Sequence, residues 1–201
     1  MADKQVIVSI SREFGSGGHD IAEKISKDLG YKLYDKDIIN EVAKDFNADP
    51  EEIKKYDEHS HSRMLSRRVG NYTNSMSDIL LEKQFEFIKK KAEEGESFVV
   101  IGRCADCLLR GNKGLITIFI TGNKDYKTAR IMKQFSLNEK DAADKMKKVD
   151  MERRTFHNRY SDHKWGDSRY YDLIINGSYL GVEKTADLLE EYIKSRAEAM
   201  L

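Results

Sequence analysis

The apolar residues of this chain alternate between two rhythms. Gln5–Ile10 is a short continuous run carrying two valines and two isoleucines, the composition of a parallel strand buried on both faces. From His19 the spacing becomes helical, with Ile21, Ala22, Ile25 and Leu29 on one face and Gly30 placed to end the helix. Tyr31–Tyr34 is a brief strand, after which Ile38, Ile39, Val42 and Ala43 resume helical spacing. Asp49 with Pro50 and Glu52 marks a further helix start. Tyr56–Asn74 is polar and basic without a steady period; Ser75 or Ser77 then caps a long helix whose stripe is Met76, Ile79, Leu80, Phe87 and Ile88 and whose end is Gly95. Ser97–Ile101 and Leu115–Thr121 read as core parallel strands, and Tyr126–Phe135 as a helix. Asn138 and Asp141 cap a long charged stretch through Tyr160 that has too few large apolar residues to be central and is expected to be a mobile helical segment. Tyr171–Ile175 is the last strand, and Val182, Ala186, Leu189, Tyr192 and Ile193 form the stripe of a closing helix.

Strands alternating with helices predict an α/β fold, a parallel sheet covered on both faces in three α/β/α layers. At 201 residues one domain with helical insertions is expected. Lysine and arginine number 35 and aspartate and glutamate 35, so no overall field gathers nucleic acid or an anionic membrane, and binding must be local. The N-terminal apolar run is too short for a signal-peptide core and no stretch approaches a membrane span, which leads us to expect a cytoplasmic protein. Cys104 and Cys107 form a C-x-x-C; a zinc site would need His59 and His61 as well, and we read the cysteines as small residues near a strand end and the histidines as a solvated loop.

The candidate chemistry lies where the first strand hands over to the first helix. The loop Ser11-Arg12-Glu13-Phe14-Gly15-Ser16-Gly17-Gly18-His19-Asp20 has three glycines in four positions. Such a loop curls tightly enough to aim several backbone N–H groups at one anion, and the helix dipole adds partial positive charge. Against the GxxxxGK[ST] phosphate-loop template, Arg12 falls at the first glycine, Gly18 at the lysine and His19 at the magnesium-binding hydroxyl. Phosphoryl transfer needs positive charge on the transferred group, so another cation must supply it. Arg12 is the candidate, with Ser11, Ser16 or Asp20 holding a hydrated Mg2+; in the competing reading Arg12 pairs with Glu13 or a nearby carboxylate and the loop binds nucleotide without chemistry.

The motifs Ile10-Ser-Arg-Glu-Phe-Gly-Ser-Gly-Gly18, Tyr34-Asp-Lys-Asp-Ile38, Gly102-Arg-Cys-Ala-Asp106, Trp165 and Tyr171-Asp-Leu-Ile-Ile-Asn176 together resemble the cytidylate kinase-like family of bacterial P-loop proteins, over nearly the whole chain. Established cytidylate kinases keep the loop lysine, from which Gly18 departs. The resemblance implies a P-loop core (1–37, 96–137 and 170–201) carrying ATP, a helical insertion at 38–95 for an acceptor monophosphate, and an arginine-bearing lid at 138–169. It implies phosphoryl transfer from ATP, with Mg2+, to a small-molecule nucleotide, CMP or dCMP foremost. A non-catalytic nucleotide-binding module and a kinase of another small acceptor are the alternatives.

Candidate donor-binding residues are Ser11, Gly15, Ser16, Gly17, Gly18, His19, Asp20 and Arg130, with Asn176–Ser178 near the base. Asp35 and Asp37 stand past a short strand, where open parallel sheets bind ligands, and either could instead cap the helix at Ile38. By resemblance Arg103 holds the acceptor phosphate and Asp106 orients it; a salt bridge between the two is the competing account. Arg153, Arg154 and His157 share a helix face with Asp150, and Arg159 points elsewhere. As lid cations, Arg153, Arg154 and Arg159 join Arg12 as candidate catalytic residues. Long helices in the insertion offer a surface for homo-oligomer formation.

Overall fold

We describe the protein from a computed structural model, which places residues 4–35, 38, 40, 42 and 76–200. Elements are numbered among these residues. The strands are β1 (Ile7–Arg12), β2 (Lys32–Tyr34), β3 (Phe98–Ile101), β4 (Leu115–Thr121) and β5 (Leu173–Asn176). The helices are α1 (Gly18–Leu29), α2 (Met76–Glu93), the single turn α3 (Ala105–Leu108), α4 (Lys124–Phe135), α5 (Glu139–Tyr160) and α6 (Gly181–Ala199). The chain divides into two compact units, Met1–Leu33 with Gly95–Leu201, and Tyr34–Glu94. The helix expected from Asp49 and the segment Tyr56–Asn74 lie outside the described residues, as do Asp37, His59 and His61.

The strands order as β2-β3-β1-β4-β5, the sheet expected from the alternation of the sequence. β1 is central, parallel to β3 on one side and β4 on the other. Its apolar run ends at Ile10, yet pairing continues through Ser11 opposite Phe119 and Arg12 opposite Ile120, because the longer β4 runs on beside it. The strand therefore ends two residues later than its hydrophobic pattern suggests, and Arg12 is its last residue rather than part of the loop.

Ile21, Ala22 and Ile25 of α1 and Ala186, Leu189 and Ile193 of α6 are fully buried with Val8, Ile10, Ile118 and Ile120 of the sheet. Each isoleucine so buried contributes about 1.5–3 kcal/mol, and truncating one to alanine costs about 2–5 kcal/mol. α4 and α5 pair around Ile131, Ala142 and Met146, with Phe14 of the loop packed against them. In the second unit Tyr34 meets Phe87 edge-on, ring centroids 5.3 Å apart. No helix among the described residues is long and apolar enough to cross a membrane.

The charged stretch after Asn138 is a continuous 22-residue helix, capped by the Asn138 side chain accepting from the Asp141 N–H. It is fastened to the core by polar contacts, described below. The helical stretch expected here is thus one unbroken helix, held by polar contacts where apolar residues are scarce.

Candidate active site

The loop begins where Glu13 leaves the sheet, its N–H donating to the Ile120 carbonyl at 2.9 Å. Gly15 and Gly17 both adopt the left-handed conformation, φ +81° and +83°, and Gly17 caps α1. Such angles suit glycine and turn the chain sharply enough to present its N–H groups ahead of α1. A β-carbon on Gly15 would also lie 2.9 Å from the Lys127 carbonyl oxygen.

Arg12 and Gly18 fit one another. A β-carbon at position 18 would stand 2.6 Å from Arg12 Cβ and 3.0 Å from Arg12 Cγ, well inside contact distance. The Arg12 side chain thus lies over the position from which a phosphate-loop lysine would start. Its guanidinium reaches Gly102 at the exit of β3, where a β-carbon would be 2.7 Å from Nη1. The glycine that removes the lysine is the glycine that admits the arginine.

Glu13 turns toward the end of β4. Its Oε2 accepts from Lys127 Nζ at 2.8 Å, Thr121 Oγ1 at 2.5 Å and the Gly122 N–H at 3.2 Å. Burial alone would raise its pKa; the Lys127 ammonium and the other donors outweigh burial and hold it below the usual glutamate value. Glu13, one of the carboxylates of the competing reading, is thereby engaged by Lys127. Lys127 itself is buried, and nothing in its helical pattern distinguishes it from a solvated lysine.

α5 grips the loop from the other side. Asp150 Oδ1 accepts from the Phe14 N–H at 2.7 Å, and Arg153 Nη1 donates to the Arg12 carbonyl at 2.9 Å. Burial raises the Asp150 pKa despite the nearby Arg153 and Lys127 charges. Arg153 also lies 5.5 Å from the Phe14 ring centroid. Asp150, Arg153 and His157 follow at helical spacing on the inward face, as the sequence suggests, whereas Arg154 lies over the Trp165 ring and Arg159 over Tyr160. Arg130 donates to Asp20 Oδ2 at 2.6 Å and stands beside Gly17.

The turn after β3 has the most unusual backbone. Gly102, Arg103 and Cys104 are consecutive left-handed residues, φ +70°, +56° and +52°. A non-glycine residue there costs roughly 1–2 kcal/mol, and such strain gathers at ligand sites. Arg103 is half-buried on this turn. Asp106, one step into α3, points inward: its Oδ2 accepts from His157 Nε2 at 2.8 Å and lies 3.2 Å from His163 Nε2. Burial would raise the Asp106 pKa, but the two imidazoles hold it below the ordinary value. His163 sits in a polar stretch without period and gave no signal in the sequence. Burial pushes the Cys104 thiol far above its usual pKa, and both cysteines are free.

Asp35 accepts the Ile38 N–H through its backbone carbonyl at 3.1 Å, so a turn does begin there. Asn176 donates to Asn123 Oδ1 and accepts from Ser178, forming a small polar cluster beside α6. Of the residues named for Mg2+, Ser16 and Asp20 are engaged by protein partners. The Ser16 hydroxyl donates to the Glu13 carbonyl at 2.8 Å, Asp20 is paired with Arg130, and His19 lies 3.6 Å from Glu23.

Comparison with known proteins agrees with this architecture. An uncharacterized protein from Eubacterium ventriosum ATCC 27560 is 39% identical, with a TM-score of 0.76 over 95% of this chain and 99% of that one. Shikimate kinases from Bacteroides thetaiotaomicron and Aquifex aeolicus share the fold at 14% identity each, with TM-scores of 0.54 and 0.52. They cover 94% and 96% of this chain and 98% of each of theirs. A search of curated proteins gave no match. Residues 7–179 match the cytidylate kinase-like family, and with the P-loop kinase sheet and the altered loop at its centre, the chain belongs to that family.

Proposed function

We propose that the protein transfers the γ-phosphoryl group of ATP to a nucleoside monophosphate of the CMP or dCMP type, with Arg12 in the role of the missing loop lysine. The observation that carries the reading is the fit of Arg12 over Gly18: its Cβ and Cγ cover the point from which the lysine side chain would start, and its permanently charged guanidinium reaches on to Gly102. Positioning and charge stabilisation dominate phosphoryl transfer, so a cation at that place is the principal requirement of the loop.

In this reading Gly15–Gly18 and the start of α1 bind the donor phosphates through backbone N–H groups, and Arg130 approaches from α4. Arg103, at the carboxyl edge of β3, binds the acceptor's phosphate in its planar fork. Arg153 positions Arg12 through the latter's carbonyl, while Arg154 and Arg159 complete the cationic lid and exclude water. Mg2+ arrives in this reading with ATP, as the substrate complex.

Coupled measurement of ADP formation over a panel of nucleoside monophosphates and small hydroxyl acceptors tests the proposal. Acceleration by CMP or dCMP above all others is expected. ATP binding without acceleration by any acceptor would replace it with a nucleotide-binding module.

A further inference from the structure

Asp106, His157 and His163 meet in the interior from three separate segments: α3, the inner face of α5, and the turn preceding β5. Their side chains are between 1% and 4% exposed, and one ligand atom from each lies within 4.8 Å of the others. Two polar atoms of this neighbourhood, Asp106 Oδ1 and His157 Nδ1, are buried without a hydrogen-bond partner, and the Tyr171 hydroxyl lies beside Asp106 and Ser11. Buried groups are almost always satisfied, so the orphaned Oδ1 of Asp106, on the carboxylate that faces both imidazoles, indicates a missing water or ion beside it.

We propose that Asp106, His157 and His163 form a binding site for a divalent transition metal of the zinc class, separate from the phosphate loop. Two imidazole nitrogens and a carboxylate are a borderline donor set suited to such an ion, with a water available as fourth ligand. Oδ2 already lies 2.8 and 3.2 Å from the two Nε2 atoms, and a tetrahedral site needs only a small widening. Metal-bound histidine commonly donates its second ring nitrogen to a carboxylate. His163 Nδ1 is 3.1 Å from Asp162 Oδ1 and 2.9 Å from Ser161 Oγ, which supplies that outer partner.

Arg110 sets the affinity. Its Nη2 lies 2.5 Å from His163 Nδ1, an arrangement that keeps the ring proton on Nε2, where the metal must bind. Loading therefore requires the proton to move to Nδ1 and Arg110 to turn toward Asp162, with which its Nη1 is already paired at 2.6 Å. The guanidinium competes with the ion. A loaded site would staple the turn carrying Arg103 to the helix carrying Arg153.

The test uses the full chain stripped with a chelator and titrated with Zn2+, then with Co2+ as a spectroscopic probe. One Co2+ per chain is expected, with the visible absorption of a nitrogen and oxygen site and no sulfur-to-cobalt band. His163→Gln should weaken Zn2+ binding by roughly a hundredfold or more, beyond what loss of an outer partner costs. His19→Gln, in the exposed group with Asp20 and Glu23, should leave it unchanged. Arg110→Met retains every ligand and should bind Zn2+ more tightly. No ion retained by the wild type, a thiolate band placing the ion on Cys107, or unchanged affinity in Arg110→Met would each overturn the site. The first of these would leave a buried water as the partner of the orphaned atoms. Should His163→Gln fail to fold, the wild-type cobalt spectrum and the Arg110→Met affinity decide.

Discussion

If Arg12 carries the charge of the absent lysine, the two should be interchangeable as a pair and not singly. Arg12→Gly removes the cation and should lower turnover by about 10²–10³-fold, the usual effect of deleting one preorganised charge-stabilising group. Gly18→Lys adds a cation but puts its β-carbon 2.6 Å from Arg12 Cβ. Carbon contacts settle near 3.5–4.0 Å, so the overlap is about 1 Å between two atoms fixed by a strand and a helix start. Neither can rotate away, and overpacking of this kind costs about 1–3 kcal/mol. The single lysine variant should therefore be less stable and slower. Combining Arg12→Gly with Gly18→Lys removes the overlap and rebuilds both the first glycine and the lysine of the phosphate-loop template. It should restore stability, and turnover to within about tenfold of wild type, given the tenfold per 1.4 kcal/mol that a small misplacement of charge costs. The assays are urea unfolding, ATP affinity and ADP formation with the best acceptor. Full turnover by Arg12→Gly, or a double variant no better than its parents in all three assays, would refute the reasoning.

Other expectations concern the ties around the loop. Lys127→Met leaves the Glu13 carboxylate, about a quarter exposed, without its ammonium and should cost about 3 kcal/mol, the low end for breaking a buried pair. Because the folded-state pKa of Glu13 is depressed, its contribution is present above its unfolded value and lost as pH falls through the folded one. The stability gap between wild type and Glu13→Gln should close across the acid range in urea titrations. Asp150 has the opposite sign: its pKa is raised by burial, so its ionised form weighs against folding at neutral pH. Asp150→Asn keeps an acceptor for the Phe14 N–H and should be at least as stable there, with the advantage vanishing at low pH. Gly102→Ala, at φ +70°, should cost about 1–2 kcal/mol in thermal unfolding and displace the Arg12 guanidinium, lowering turnover more than it lowers stability.

The parallel sheet was accessible from sequence because β1, β3 and β4 are buried, largely β-branched runs alternating with helices. The glycine loop announced itself for the same reason: it interrupts a strand-to-helix passage. What escaped was held by polar contacts between distant residues. α5 carries few buried apolar residues, so periodicity undervalued a helix pinned through Asp150, Arg153 and His157. Lys127 and His163 look like surface residues along the chain and become interior ones only when Glu13 and Asp106 arrive from more than fifty positions away. The inward turn of Asp106 was likewise invisible, since a carboxylate after a strand has the same sequence signature whether it faces a ligand or an imidazole.

The left-handed run Gly102–Cys104 has a consequence for how this protein can be improved. Two side-chain-bearing residues there resist their own conformation, and the surrounding packing holds them to it. Glycine at 104 would relax the backbone, and a search for thermostable variants would be drawn toward that position. The relaxation would also release Arg103 from a fixed bearing, so that an incoming anion would have to order the side chain itself, weakening binding by the entropy of that ordering. If Arg103 holds the acceptor as proposed, gains in melting temperature and losses in acceptor affinity should rise together at this turn, making it the place where the molecule's robustness trades against its readiness.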